Sequence, residues 1–425
     1  MNRIFYAMIA VAFLFAAVQQ GMYYAGDPAL DTVQPLTAFS DGLFDMAKAA
    51  VMSIVLPLVG AMVFFLGLMK VAERGGVVRI IAKLLRPLMV RLFPSIPPDH
   101  PAMSAMILNM SANGFGLANA ATPFGIKAMQ ELDRLNPEKG TATNAMCLFL
   151  AINTSAVTLI PRDVIAVRET LGSANAAGVV PTTLLATLLS TTAAILAAKF
   201  LQRFTEAPRG EVAPHEAGGE DTEAYPAWVS ALALLALVAF VPLSVVYGEI
   251  IGPWLVPTMV FVFVTFGAAR GVRVYEAFIE GAKEGWEVGV NIIPYVVAIL
   301  AAVGMLRGSG AIDLFVWAVG DYTMMLGMPP EALPMALIRP LSGSGATGVM
   351  MATMVESGPD SYVGYVVSTL QGSTETTFYV LAVYFGAVQV TKIRHAMAAA
   401  LTADAVGIAG AVLATSLYFE YNGLW

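Results

Sequence analysis

Two separate segments of the chain carry the same pattern of residues. Residues 51–76 and 288–310 are each apolar, with a proline near the start and an arginine before glycine at the end. Both are followed by an amphipathic stretch, an apolar segment interrupted by Gly, Ser or Asn, and a long apolar segment with small polar residues at its middle. This order predicts a fold of two related halves with interrupted helices.

The composition restricts these halves to a membrane. Hydrophobic residues make up 58% of the 425 residues and charged residues only 12%, and the mean hydropathy is +0.73. One soluble core cannot bury this much apolar surface. We therefore expect an all-α polytopic protein in a lipid bilayer. The net charge of −7 does not indicate nucleic-acid binding, because the basic residues gather beside apolar segments, where lipid headgroups lie.

Loop charges predict the direction of the helices. Residues 26–45 contain four Asp and no Lys or Arg, which suits the external face. Residues 70–91 contain six Lys or Arg, and the positive-inside rule places them in the cytoplasm. The N-terminus is then cytoplasmic and the C-terminus external. Residues 4–24 can be a signal peptide or a membrane helix, and we expect the first membrane helix because no small-x-small cleavage site follows the apolar run.

The chain is expected to contain a first repeat over residues 1–203, a cytoplasmic linker over 204–226 and a second repeat of inverted topology over 227–425. The linker is a long polar stretch rich in Pro, Gly and Glu. The extra helix 228–247 makes the number of crossings odd, which inverts the second half. The other crossings are predicted at 49–71, 180–199, 254–269, 285–306 and 394–418.

Each repeat is expected to contain a re-entrant helical hairpin, a broken transmembrane helix and an interfacial amphipathic helix. Irregular backbone at membrane depth is tolerated only beside protein or a watery cavity, and amphipathic helices lie in the interface plane. The hairpins are predicted at 103–129 and 334–355, the broken helices at 144–162 and 362–389, and the interfacial helices at 77–93 and 311–326.

The interrupted segments supply the candidate substrate-binding residues. Asn, Ser and Thr offer donors and acceptors to a polar solute, and half-helix ends expose N–H or C=O groups. Small polar residues also let membrane helices pack closely, so the packing interpretation stays open for each single residue. The candidates are Asn109, Ser111, Asn113, Asn119, Asn153, Thr154, Ser155, Ser342, Ser344, Gln371, Ser373, Thr374, Glu375 and Thr376.

Glu375 is the one carboxylate that we expect at mid-depth. An intramembrane carboxylate costs about 2–4 kcal/mol and is rarely kept without a role or a partner. Three interpretations stay open: coupling to a proton or cation, direct solute binding, and a structural pair with Arg339 or another buried donor. Proton coupling is predicted rather than sodium coupling, because one carboxylate with a few hydroxyls provides few oxygen ligands for sodium.

Other polar and aromatic residues have more than one interpretation. Arg162 and Asp163 can form a gate pair or an interfacial ion pair, and the aromatic pairs 378–379 and 384–385 can stack on a planar solute, face the lipid or fill the core. The chain has a single cysteine, Cys147, and its histidines are scattered at positions 100, 215 and 395. We therefore expect no metal site. Because the sequence shows no Ser/His, His/Glu or Asp/Asp constellation of a known hydrolase, we also expect no enzyme activity, no catalytic residues and no cofactor.

The interrupted segments resemble known families. Residues 109–129 (NMSANGFGLANAATPFGIKAM) with 153–168 resemble spore maturation protein A, and 340–350 (PLSGSGATGVM) with 372–388 resemble spore maturation protein B. Both families belong to the nucleoside-recognition or Gate domain group, whose order of hairpin and broken helix is similar to the core of concentrative nucleoside transporters. The resemblance implies a fused chain in the bacterial inner (cytoplasmic) membrane.

The expected function is transport of a small polar or anionic metabolite by alternating access, a nucleoside-like solute being one option. The alternative is a non-transporting membrane scaffold for envelope or spore maturation. A homodimer is also expected, because the outer and interfacial helices need neighbours.

Overall fold

The computed structural model describes residues 2–25, 34–114, 116, 118–155, 158–206 and 225–424. Most of the predicted linker, residues 207–224, lies outside this part of the chain, as do residues 26–33 of the predicted acidic loop.

The described residues form eighteen α-helices. The first half contains α1 (Asn2–Tyr24), α2 (Pro35–Ala49), α3 (Leu56–Gly75), α4 (Val77–Leu92), α5 (Pro101–Gly114), α6 (Ala118–Arg134), α7 (Asn144–Thr154), α8 (Arg162–Thr170) and α9 (Val179–Leu201). The second half contains α10 (Ala227–Val246), α11 (Gly248–Ala269), α12 (Val274–Gly308), α13 (Ala311–Met324), α14 (Leu333–Ile338), α15 (Gly343–Ser357), α16 (Tyr362–Ser373), α17 (Thr377–Gly386) and α18 (Ala396–Asn422).

Several of these helices are long and apolar enough to cross a bilayer, since about 20 residues span its hydrocarbon core. Within the described residues they are Phe5–Tyr24, Pro35–Gly75, Ala176–Phe204, Ala227–Val246, Ile250–Ala269 and Ala396–Asn422. The prediction of an all-α polytopic membrane protein is therefore confirmed.

The predicted order of parts is present in both halves. α4 and α13 occupy the positions expected for the amphipathic helices, and α5–α6 and α14–α15 occupy those of the hairpins. The two predicted crossings with polar middles are broken, since α7 ends eight residues before α8 begins (154 to 162) and α16 ends before α17. The interruptions fall at the Gly, Asn, Ser and Thr residues because these favour caps and turns over helix interiors.

The prediction of an external loop over residues 26–45 is wrong for residues 35–45, which lie in α2. Pro35 opens this helix, and proline is favoured in a first turn because its φ is already helical. A π-helical segment, Ala50–Val55, then joins α2 to α3. Asp41 and Asp45 thus lie on a helix. α12 is also longer than expected, because it begins at Val274.

Contacts divide the chain into two compact units, each of which draws on both halves of the sequence. Unit 1 contains Met1–Gly67, Asp163–Ala176 and Ile279–Gln371, and unit 2 contains Leu68–Arg162, Ala177–Phe278 and Gly372–Trp425.

In unit 1, α12 lies directly against the backbone of α2 and α3. A Cβ atom on Gly304 would collide with the carbonyl oxygen of Gly42, and one on Gly285 would lie 2.7 Å from that of Met62. Glycine permits this approach because small residues let membrane helices come into backbone contact.

In unit 2, α9 and α18 pack along each other, and α7 packs against both. The α5–α6 hairpin lies against α7 and α17, and α10 covers α4, α9 and α18. The interior is filled by large apolar side chains such as Met106, Phe149 and Phe385 and by small ones such as Ala403. This packing holds the two breaks that belong to unit 2.

Candidate functional site

The ends of two broken helices meet inside unit 2. α7 ends at Thr154, where the last carbonyl groups of a helix have no partner within it. The backbone N–H of Glu375 donates to the Thr154 carbonyl oxygen at 3.0 Å, and the hydroxyls of Thr187 and Thr191 donate to the carbonyl of Ser155. We call residues 154–155 and 373–376 the junction. The structure thus brings the two predicted breaks together.

A chain of amide and phenol groups extends from the first hairpin to the junction. Asn113 Nδ2 donates to Asn153 Oδ1 at 2.9 Å, and the Tyr384 hydroxyl contacts the same oxygen at 3.4 Å. Asn109 Nδ2 donates to the Tyr384 hydroxyl at 3.2 Å and to the Ala121 carbonyl at 2.8 Å. Three candidate asparagines therefore belong to one network. The sequence did not predict that Tyr384 links them.

The second break is buried under α18. Ser373, Thr374 and Thr376 are buried, whereas Glu375 is half-buried. A Cβ atom on Gly407 would lie 2.6 Å from Thr374 Cγ2, so α18 approaches this break closely. The four candidates at 373–376 therefore lie in one packed segment.

Sequence reasoning missed a second carboxylate close to this break. Asp404 lies within α18, is 3% exposed, and accepts a hydrogen bond from the Thr377 hydroxyl at 2.7 Å. Glu375 is therefore not the only carboxylate within an apolar segment of the described residues. The signal was available, because Asp404 is an acidic residue inside the apolar run 396–414.

Several buried polar atoms of unit 2 have no hydrogen-bond partner among the residues that the structure describes. Three of them belong to the first hairpin or to the second break and its surroundings: Asn109 Oδ1, Ser373 Oγ and Thr183 Oγ1. A Cβ atom on Gly372 would lie 2.9 Å from Thr183 Oγ1, which places this hydroxyl at the second break. Such atoms are uncommon in folded proteins and indicate a place for water or a ligand.

Other candidates use their hydroxyls for local structure. Ser111 donates to the Ile107 carbonyl, Thr154 to that of Ala151, and Ser155 to those of Ala151 and Ile152. This back-bonding satisfies a hydroxyl within its own helix. The packing interpretation is the better one for these three side chains.

The candidates of unit 1 lie around α15. Ser342 is the N-cap of α15 and accepts from the Gly345 N–H at 3.1 Å, and Ser344 is half-buried in its first turn. Gln371 Nε2 donates to the Thr347 hydroxyl at 3.1 Å, and Arg339 Nη2 donates to the Gln371 carbonyl at 3.0 Å. Capping accounts for Ser342, and Gln371 ties α16 to α15.

The remaining residues that we singled out occupy varied positions. The side chain of Asn119, in the first turn of α6, lies outside the described residues. Arg162 is buried and Asp163 is exposed. The Tyr384 ring stacks on Phe149 with centroids 6.0 Å apart, which supports the core interpretation for Tyr384.

Arg168 of unit 1 was not considered. It is fully buried, its Nη2 lies 2.8 Å from Asp360 Oδ1, and its guanidinium lies 4.0 Å from the centroid of the Tyr365 ring. Donors of Arg168 also reach the Pro359 carbonyl and the Ser368 hydroxyl. These contacts join α8 to α16, so Arg168 is a structural residue.

The junction and the polar side chains around it therefore offer hydrogen-bonding groups to a polar solute. Asn109 Oδ1 is an acceptor, Ser373 and Thr183 can donate or accept, and Glu375 and Asp404 can hold a cation or a proton. This inventory of donors and acceptors suits binding.

Comparison with known proteins identifies the family. The model of the Gate family, described as nucleoside recognition, matches residues 55–203. Spore maturation protein B of Bacillus subtilis (strain 168) is 40% identical over 165 residues, which make up 39% of this chain and 93% of that protein. Spore maturation protein A of the same organism is 47% identical over 157 residues, which make up 37% of this chain and 80% of that protein.

A solved structure, that of the Alcanivorax borkumensis YdaH transporter, aligns over 99% of this chain and 98% of its own with 15% identity and a TM-score of 0.40. The two spore maturation proteins are matched over most of their length, so the predicted resemblance is confirmed. This multi-pass helical membrane protein contains a Gate domain and belongs to the family of spore maturation proteins A and B.

Proposed function

We propose that this protein carries a small polar or anionic metabolite across the membrane by alternating access. The observation that carries the proposal is the hydrogen bond from the Glu375 N–H to the Thr154 carbonyl, which joins two broken helices in a buried polar cluster. Breaks at membrane depth are costly unless they line a cavity or a binding site.

The solute class that fits the cluster best is nucleoside-like. Amide groups such as that of Asn109 can pair with the edge of a base, and Ser373 and Glu375 can bind sugar hydroxyls. The Gate family is described as nucleoside recognition, which supports this choice.

We further propose that the halves 1–203 and 227–425 are inverted repeats joined by the cytoplasmic linker 204–226. Alternating access then exposes the solute first to one face and then to the other. The N-terminus is cytoplasmic, the C-terminus is external, and a homodimer provides the fixed frame.

Coupling to protons is the proposed energy source. Glu375 lies in the break itself, and Asp404 lies nearby on α18, so two carboxylates are available to carry a proton. Sodium coupling is the alternative, since carboxylates and hydroxyls are also its ligands.

Uptake into proteoliposomes tests the proposal. Vesicles containing the full chain are given labelled nucleosides and a panel of small anionic metabolites under a pH gradient. We expect uptake of at least one compound, and we expect Asn153→Ala to reduce it more than tenfold because the link between Asn113 and Tyr384 is lost. Thr192→Val is the matched control, because its exposed hydroxyl bonds only within α9.

A non-transporting scaffold for envelope or spore maturation is the second candidate. The names of the two relatives, spore maturation proteins A and B, favour it. A scaffold predicts that the folded protein shows no uptake and that its melting temperature shifts with no compound of the panel. That combined result would replace the transport proposal.

A further inference from the structure

A strongly basic cavity lies at the ends of α3 and α11 in unit 2. Its volume is about 560 Å³, and its lining includes Arg74, Arg79, Lys83 and Arg270, with Glu73 as the acidic residue. Glu73 is paired with Lys70, Nζ to Oε2, at 3.3 Å. The cavity therefore keeps a net positive charge and favours an anion.

Three separate parts of the chain build this cavity. Gly76, at a φ of 92° that suits glycine, lets α4 turn away from α3. The Tyr225 N–H donates to the Lys83 carbonyl at 3.4 Å, and Lys83 Nζ lies 5.9 Å from the centroid of the Tyr225 ring. Arg270 follows α11, with its guanidinium 5.3 Å from the Phe266 ring. Planar guanidinium groups that converge in this way suit the oxygens of a phosphate group.

A second cavity adjoins the same helix. It has a volume of about 430 Å³ and is lined by Ile81, Leu84 and Leu88 of α4 and by Ala233 and Leu237 of α10. Ile80 and Lys83 line the basic cavity, and the next residue in each case, Ile81 and Leu84, lines the apolar one. Successive helical residues are about 100° apart, so the two cavities flank α4 at one level.

We propose that α4 holds an anionic phospholipid. The phosphate group lies in the basic cavity, and an acyl chain lies in the apolar cavity between α4 and α10. A free phosphate ion shares the chemistry of the headgroup, but it has no apolar part that would occupy the apolar cavity beside its site. Asn113 and Gly114 at the tip of α5 also line the apolar cavity, so the bound chain contacts the first hairpin.

Lipid titration of the full chain in neutral detergent tests this proposal. The probes are phosphatidylglycerol, phosphatidylcholine with the same acyl chains, and inorganic phosphate, and the readouts are lipid binding by native mass spectrometry and melting temperature. The test variant is Arg79→Gln/Arg270→Gln, whose side chains are exposed and whose fold should persist. The matched control is Arg273→Gln, which removes a cation that is 82% exposed and lies outside the cavity.

We expect the double variant to bind phosphatidylglycerol at least tenfold more weakly, since each basic residue near a headgroup contributes about 1 kcal/mol. Binding of phosphatidylcholine and the melting temperature in that lipid should not change. Arg273→Gln should behave as the unaltered protein. If Arg273→Gln weakens binding equally, the attraction is a diffuse surface effect and the proposal is wrong.

A second variant separates the lipid from a free ion. Ala233→Phe fills the apolar cavity and should weaken phosphatidylglycerol binding while leaving the basic cavity unchanged. Millimolar inorganic phosphate should not displace the lipid. If Ala233→Phe has no effect and phosphate displaces the lipid, the cavity is a site for soluble phosphate, and the lipid proposal is overturned.

Discussion

The backbone N–H of Glu375 donates a hydrogen bond to the carbonyl oxygen of Thr154 across 3.0 Å. Thr154 is the last residue of α7, and Glu375 lies between α16 and α17. Each break therefore supplies a partner that the other lacks, so the two cannot separate without exposing an unsatisfied backbone group. A conformational change at one break therefore alters the other through this hydrogen bond, and the Glu375 carboxylate lies next to it.

Glu375→Gln should remove the pH dependence of transport and leave the protein folded. The substitution keeps the backbone N–H that donates to the Thr154 carbonyl. Glutamine occupies almost the same volume as glutamate and has no titratable proton. The measurement is uptake into proteoliposomes over a range of pH, together with the melting temperature.

Glu356→Gln is the matched control for Glu375→Gln. Glu356 is exposed near the end of α15, so its substitution should leave the pH profile unchanged. Uptake that follows a sodium gradient at constant pH, or a Glu375→Gln protein that only unfolds, would exclude the coupling role.

Gly407→Ala should destabilise the contact between α18 and the second break. The added Cβ atom would lie 2.6 Å from Thr374 Cγ2 and 3.1 Å from Ser190 Oγ. Overpacking of this kind costs about 1–3 kcal/mol. Thermal unfolding in detergent measures the effect.

A second substitution should relieve the clash in the Gly407→Ala variant. Thr374→Ser removes the methyl group and keeps the hydroxyl, so the double variant should regain most of the lost melting temperature. Gly386→Ala is the control, because a Cβ atom there meets no other atom within 4 Å. An equal loss in the single and double variants would show that Thr374 is not the group that limits the approach of α18.

The sequence predicted the helices and breaks well, because apolar length and runs of Gly, Asn, Ser and Thr act locally. It did not predict that α2 begins at Pro35, because the charges of Asp41 and Asp45 are more typical of a loop. The roles of Asp404 and Tyr384 could not be derived. Each depends on which residue of a distant helix lies opposite, Thr377 for Asp404 and Asn109 for Tyr384. Local patterns do not encode that pairing.

Arg168→Met should destabilise unit 1 strongly. The guanidinium is fully buried. It donates hydrogen bonds to the Pro359 carbonyl, the Ser173 hydroxyl and the Asp360 carboxylate, and so connects the segment after α8 to the segment before α16. Removing one partner from a buried ion pair costs about 3–5 kcal/mol, although the exposed side of Asp360 will reduce this. Thermal unfolding should show the loss, while Arg273→Gln, at an exposed pair, should change the melting temperature little.

His395 should make stability depend on pH in the acid range. It lies just before α18, outside the membrane-spanning segments, with Nδ1 2.9 Å from the Thr205 hydroxyl. Burial, and then the charge of Arg394, lowers the pKa of His395 from 6.5 to about 4.

Because the folded protein keeps His395 neutral while the unfolded chain takes up a proton below pH 6.5, stability should be constant above that pH and fall between pH 6.5 and about 4. The loss attributable to this residue is on the order of 3 kcal/mol. His395→Gln keeps a hydrogen-bonding side chain for Thr205 and cannot be protonated, so its melting temperature should fall less over this interval. Measuring both proteins at pH 7.5 and at half-unit steps down to pH 4 isolates the contribution, since carboxylates titrate equally in both. Parallel curves would mean that His395 is protonated in the folded protein and that its burial does not hold it neutral.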